Sequence, residues 1–475
     1  MKKILIPISL IIFSIMVFFV IINLVDSKRE ERRFNVNQLH PASMDYENGF
    51  YRFLLLGLPP HEDFDSMEKL NYIKEFSVSG KLTEKWLKKY INFYRSQRRK
   101  EKPWRKFRIP FPRTYNQNWI KIIENQKVRI KNKISSYSYF LDRYEKLVNF
   151  EKISDFTPPR LYTLIPDLEL WGNVCKLYLA DKILHYLEKK DIEIVKKILN
   201  HFTFTLRILK TARSIGLNTT SKKLAGLNLH LINNLLNDIS IPVDCINYIS
   251  DYLESINIFD YSSRNSLIFE TLVMEDFIQA VSSLKKINPF SRIKLTENRY
   301  EYHLYQNRTK IQPGKVLLNG FVQLTLQKNR TLDEIEFQVE NLLSFEMQNP
   351  CDWKVDPKQL SKKVKKNPLW WLQNAAGKFL LYNNLDNYFI FDTHELRCKF
   401  SLTKILSRIR KNRVNQSCEI KKIIISFTDP FSGKPYIYLP DKAIIYSYGL
   451  NCMDNGGVQK LGSTESDIPI SLIRE

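Results

Sequence analysis

A mainly α fold, tethered by an N-terminal transmembrane helix and closed by a small C-terminal β-hairpin cap, is what the sequence predicts, and three observations predict it. Residues 4–25 are an uncharged apolar run. Between 151 and 290, leucine and isoleucine recur at helical spacing between capping residues, which predicts helical hairpins in a tetratricopeptide-like layout. Beyond 421, tyrosine and isoleucine alternate between turn pairs, as they do in strands. Only 14 glycines among 475 residues leave few tight turns for a large sandwich or barrel. The chain divides into an anchor (1–27), a basic aromatic-rich helical region (28–150), a helical-hairpin array (151–290), further helices (291–420) and a β-hairpin with a glycine-rich loop (421–475).

The run Ile4–Val25 is 22 residues long. At about 1.5 Å per residue it reaches across the roughly 30 Å hydrocarbon core and exceeds a secretory h-region. Val25 and Ser27 leave a cleaved secretory peptide as the other reading. Lys28, Arg29, Arg32 and Arg33 face Lys2 and Lys3 across the run, so the positive-inside rule does not orient it. Long domains after a first helix cross largely regardless of that bias. The expectation is a single-pass protein of the inner (cytoplasmic) membrane with a periplasmic, extracytoplasmic body.

Seventy-three basic against 50 acidic residues give +23, a surface that attracts anions without saying which. The excess concentrates in Lys85–Lys133, with 17 Lys or Arg against Glu101 and Glu124. Trp86, Tyr90, Phe93, Tyr94, Trp104, Phe107, Phe111, Tyr115 and Trp119 interleave with them. Such a mixture suits single-stranded nucleic acid and equally a membrane interface; a solvated basic face over core aromatics is the plainer reading. A membrane-tethered body favours anionic headgroups or an envelope protein as partner, and nucleic acid is the alternative only for a cytoplasmic body.

Further along, Asn48–Asp63 reads as a short apolar helix that packs back on the body, with His61, Glu62 and Asp63 as a solvated loop. Asp167 and Asp191 are placed to cap two helices, Gly216 to close the second, Thr220 and Ser221 to open a third, Pro242 a fourth and Ser263 a fifth. His185, His201 and His230 fall within these helices, where single histidines are packed or capping. Tyr300, Tyr302 and Leu304 alternate like a short strand. Helices follow from Pro313, from Leu332 to Phe345, and from Thr393 to about Arg413.

Motifs for zinc proteases, nucleophile elbows and phosphate loops are absent. None of the six cysteines lies in a C-x-x-C or Cys/His cluster, so zinc is unsupported. Cys398 and Cys418 bracket one helix and form the first expected disulfide, whereas Cys175 and Cys245, on apolar helical faces, read as buried thiols. Ser282 with Lys285 and Ser401 with Lys404 place hydroxyl and amine one helical turn apart, the spacing of a serine hydrolase dyad. No Lys-Thr-Gly strand accompanies them. No catalytic residue and no organic cofactor is assigned.

The terminal stretch carries the one specific resemblance. Asp429-Pro430 and Ser432-Gly433 are turn pairs, Tyr436 and Tyr438 alternate, Pro440-Asp441 turns the chain, and Ala443–Tyr448 returns. Gly449, Gly456 and Gly457 permit positive φ around Asn451, Asp454 and Asn455. DPFSGKPYIY, YSYGLNCMDNGG and Ser466-Asp467-Ile468 together resemble the calcium-loop region of type II secretion major pseudopilins. That resemblance implies a calcium ion held by Asp454, Asp467 and Asn451. Ser432 is one residue more than the family's first turn has, and Asn451-Cys452 stands where Asp-Gly is usual. The whole layout also resembles uncharacterised bacterial single-anchor helical envelope proteins, which implies no activity. The functional expectation is a non-catalytic scaffold or partner-binding module of the cell envelope, with an envelope serine hydrolase and a basic nucleic-acid-binding protein as alternatives.

Overall fold

The computed structural model describes residues 32–42, 45, 47–58, 65, 67, 71, 73–74, 118–159, 165–283, 292–295, 302–305, 327–353, 388–458 and 467–472. It is mainly helical. The helices are α1 (Phe50–Leu54), α2 (Trp119–Asn125), α3 (Lys127–Ser136), α4 (Ser138–Val148), α5 (Leu168–Lys189), α6 (Ile192–Thr211), α7 (Ile215–Leu236), α8 (Val243–Glu254) and α9 (Arg264–Ser283). After the antiparallel pair β1 (Arg292–Leu295) and β2 (Tyr302–Tyr305) come α10 (Lys328–Glu346), α11 (Tyr388–Lys411) and α12 (Ser417–Ile425). The cap is an antiparallel sheet β3-β4-β5 of Ile437–Leu439, Ile444–Ser447 and Ile468–Ser471.

Local chemistry explains most boundaries. Asp167 accepts from the Leu170 amide (3.0 Å) and opens α5; Asp191 accepts from the Glu193 amide (3.0 Å) and opens α6. Gly216 does not close α6. Ala212 ends it, and Ser214 caps α7 by accepting from the Leu217 amide (3.1 Å), so Gly216, Thr220 and Ser221 all lie inside α7. The serine at N-cap prevails because it satisfies a donor the helix start would otherwise leave open. A Cβ on Gly216 would meet Leu168 Cδ1 at 3.2 Å, so the glycine lets α7 approach the start of α5. Pro242 stands at the N-cap of α8, and the Ser263 carbonyl accepts the Leu267 amide (3.0 Å) at the head of α9.

The central element is α7, buried on every face from Leu224 to Leu236. A helix buried all round needs partners on all sides. It lies against α6 and α5, and α11 covers it from the other end of the sequence while also packing on α8. The tetratricopeptide-like array is corrected on this point: an array is closed by sequence neighbours, whereas this body is closed by a helix that begins about 150 residues beyond α7. A smaller core joins Phe34 and Leu39 to α9, α10 and Ile390 of α11. α1 packs back on the body, with Phe53 edge-on to Trp171 (5.0 Å) and Tyr51 against Phe156 (4.3 Å).

Among the described residues, no helix is long and apolar enough to cross a membrane. The expected transmembrane helix, and with it the placement in the inner membrane with a periplasmic body, are corrected on that finding. The reason is compositional: α5 and α7, at 22 residues each, have the length, but they carry Glu169, Lys176, Asp181, Lys182, Lys222 and Lys223. The run Ile4–Val25, on which the expectation rested, lies outside the described residues.

The disulfide also differs from expectation. Cys351 pairs with Cys452, 101 residues on, tying the turn after α10 to the turn after β4. Cys398 is buried on α11 and Cys418 exposed on α12, so the two point into different environments; Cys175 and Cys245 are buried free thiols, as expected. The Pro313 helix and the His61 loop lie outside the described residues.

Candidate functional site

The densest cluster of reactive groups sits where α7, α9, α10 and α11 meet; the sequence marked Ser263 and Thr393 only as helix starts and the other members not at all. Lys222 Nζ donates to Ser263 Oγ and to Thr393 Oγ1, both at 2.6 Å. The two hydroxyls lie 3.0 Å apart. The Ser263 amide donates to both oxygens of Glu346 (2.8 and 3.1 Å), and Arg397 donates to the Glu346 carbonyl (3.0 Å) with its guanidinium 3.8 Å from the carboxylate. All five residues are buried. Burial pushes the Lys222 ammonium down to about 8, against the pull of Glu346 and Asp392, and raises the Asp392 carboxyl.

His394 stands beside this cluster as a neutral aromatic plate. Burial and then the Arg397 charge push it down to about 3. Its ring meets Trp353 edge-on at 5.9 Å, and neither nitrogen makes a hydrogen bond among the described residues. The Phe345 and Pro430 carbonyls come near the ring without reaching hydrogen-bond geometry.

A hydroxyl on an amine of lowered pKa has the composition of a serine–lysine dyad. Here Lys222 serves two hydroxyls at once, inside a packed junction, with Glu346 holding the serine's amide. The arrangement fixes four helices relative to one another. Sequence reading missed it because Ser263 lies 41 and Thr393 171 residues from Lys222. Nothing along the chain set Lys222 apart from its exposed neighbour Lys223.

A second buried chain confirms α7 as a hub. Trp171 Nε1 donates to Tyr144 Oη (3.1 Å), Tyr144 bonds His201 Nε2 (2.8 Å), and His201 Nδ1 bonds Asn228 Oδ1 (2.7 Å). Asn228 accepts only at that oxygen, so the proton is on Nδ1 and Tyr144 donates to Nε2. Burial holds His201 down at about 4. The Trp119 amide donates to Asn234 Oδ1 (2.6 Å), seating α2 on the same helix. The histidine is packed, as the sequence predicts.

In the cap, each carboxylate closes a turn. Asp429 accepts from the Phe431 amide (3.1 Å), Ser447 Oγ (2.7 Å) and Ser432 Oγ (2.8 Å); Ser432, the extra residue, thus has a position in the turn. Asp467 Oδ2 accepts from the Asn455 and Gly457 amides (3.0 and 2.8 Å), Asp454 Oδ1 from Tyr446 Oη and the Gly456 amide (2.8 and 2.9 Å), and Asn451 Oδ1 from the Met453 amide (3.2 Å). Gly449, Gly456 and Gly457 all take positive φ, as expected. Asp467 Oδ1 is buried with no hydrogen-bond partner among the described residues, and burial raises its carboxyl, with the Asp454 charge adding. Among the described residues no three His, Cys, Asp or Glu side chains converge to hold a metal. One oxygen each of Asn451, Asp454 and Asp467 accepts donors from within the cap, and a calcium ion takes six to eight oxygens. No role is derived through the ion.

Of the serine pairs, Lys404 is held by Glu254 at 2.8 Å, and the side chain of Ser282 and all of Lys285 lie outside the described residues. The basic region is described from Asn118 onward. There Lys127 and Lys131 clasp Glu188 (3.1 and 3.0 Å) and hold its carboxyl down at about 2, while Lys121 and Arg129 are exposed and make no ion pair among the described residues. No known protein family, no curated protein and no solved structure matches the chain.

Proposed function

We propose that the chain is a non-catalytic partner-binding module that docks an anionic, headgroup-like surface through the basic region Lys85–Lys133. One contrast carries this reading. The reactive groups of the body are enclosed and bonded to one another, whereas α2 and α3 present Lys121 and Arg129 to solvent with no ion pair among the described residues. Enclosed cations act on the fold, and exposed unpaired cations act on what approaches. The cap, with its pseudopilin-like order of turns, closes the body rather than carrying chemistry.

The test is co-sedimentation of the purified protein with vesicles of phosphatidylcholine alone or mixed with phosphatidylserine, at low and high salt. Binding to the anionic vesicles only, and its loss at high salt, is expected, since headgroup attraction is about 1 kcal/mol per basic residue near the surface and is screened. Equal binding to both vesicles, or none to either, contradicts the proposal. Preferential release by single-stranded oligonucleotide at matched charge favours the nucleic-acid alternative.

A further inference from the structure

On the face of the body formed by the start of the described chain, the segment after α4 and the last turns of α6 lies a shallow, open pocket of about 690 Å³. His40, Ala42, Lys152, Ile153, Arg207 and Lys210 are among its lining residues. Its walls are fixed. The His40 amide donates to Asn265 Oδ1 (2.7 Å), and Arg213 donates to the His40 carbonyl (3.1 Å) from below. Arg207 donates to the carbonyls of Phe150 (2.6 Å), Glu151 (2.8 Å) and Val148 (3.3 Å), which sets its guanidinium in one place, and its Nε is buried with no partner among the described residues.

The charges at the rim are not matched. Lys152 is neutralised by Asp45, and Glu151 lies near Arg207. Lys210, one turn along α6 from Arg207, makes no ion pair or hydrogen bond among the described residues. Of the remaining lining residues, Pro41, Ala42 and Ile153 are apolar and His40, Ser154 and Thr211 polar. The volume falls in the range of small-molecule sites, and an apolar wall with a few fixed polar groups is their usual make-up. A fixed guanidinium and an uncommitted ammonium on one wall select a carboxylate or phosphate oxygen.

We propose that this pocket binds a small anionic amphiphile: a carboxylate or phosphate monoester head held by Lys210 and Arg207, with an apolar body lying on Ala42 and Ile153. The site is separate from the basic face of α2 and α3 and does not depend on it.

Calorimetric titration of the full chain tests it, with dodecyl phosphate and dodecanoate below their micellar concentrations as probes, and dodecyl maltoside and inorganic phosphate as the neutral and headgroup-only controls. Saturable binding of one or both anionic amphiphiles is expected, tighter than either control; which of the two binds tells phosphate from carboxylate. Lys210→Glu should weaken it at least about tenfold, as the loss of one charge-assisted contact does, while Lys421→Glu on α12 leaves it unchanged. Lys210 is exposed, so circular dichroism of the variant should match the parent; if it does not, Lys210→Gln takes its place. Absence of saturable binding, equal binding of a control, or binding indifferent to Lys210 overturns the proposal.

Discussion

Lys222, Glu346 and Arg397 in the body and Asp429 and Asp467 in the cap are all buried, yet their partners come from different places. The body groups find theirs on other helices, 41 to 171 residues away for Lys222. The cap carboxylates find theirs within the cap: Asp429 the Phe431 amide and the Ser432 and Ser447 hydroxyls, two to eighteen residues on, and Asp467 two backbone amides ten to twelve residues back. Body contacts therefore decide which helices meet, and cap contacts decide the shape of loops. Breaking the first should loosen the whole molecule; breaking the second should be felt near β4 and β5.

The largest effect is expected at Glu346. Glu346→Ala strands Arg397 in a buried site and frees the Ser263 amide, and removing one partner of such a pair costs about 3 to 5 kcal/mol. Denaturant unfolding reads it as a lower midpoint, and an unmoved midpoint would show that the junction does not hold the helices. Next comes the Cys351–Cys452 bond, which closes a 101-residue separation. Its loss by Cys452→Ser should cost about 2 to 5 kcal/mol, chiefly through the freedom given to the unfolded chain. Intact-mass measurement should show a 2 Da rise on reduction, about one hydrogen per sulfur.

Gly457 sharpens the local side of the comparison. It sits at φ +73°, and a Cβ there would meet Ile444 Cδ1 at 2.3 Å. Gly457→Ala should cost about 1 to 3 kcal/mol, with amide exchange rising in β4 and β5 and not in α7. Rising exchange throughout α7 would mean that cap and body are one cooperative unit.

The smallest effect per step is in pH. His201 and His394 are neutral in the fold, at about 4 and about 3, and take a proton more readily when unfolded, near 6.5. Their contribution is complete above pH 6.5 and is lost as pH falls from 6.5 toward those folded values, by at most about 1.4 kcal/mol per pH unit for each ring. The buried Asp429 and Asp467 carboxyls, raised in the fold, act in the opposite sense. The slope difference between parent and His201→Gln over this window isolates the histidine; identical slopes would contradict the assignment.

What was legible in the sequence follows the same division. Asp167 and Asp191 act within their own turns, so their caps could be read directly. The strands around Tyr436 and Ala443–Tyr448, and the positive φ of Gly456 and Gly457, are local as well. Gly216 was misread because Ser214, two residues earlier, competed for the boundary with better hydrogen bonding. α11 over α7, the Cys351–Cys452 pair and the Lys222–Ser263–Thr393 triangle were illegible because each joins residues far apart, and spacing along the chain carries no information about such meetings. Asp454 and Asp467 do meet at the glycine loop, where Asp467 accepts the Asn455 and Gly457 amides, but residue type alone could not foretell those donors.

Docking by exposed cations, with the buried ones reserved for the fold, is tested most directly by the double reversal Lys121→Glu, Arg129→Glu. Affinity for phosphatidylserine-containing vesicles should fall at least about tenfold, at about 1 kcal/mol per basic residue, while the unfolding midpoint stays at the parent value. Undiminished affinity in a folded variant would contradict the account.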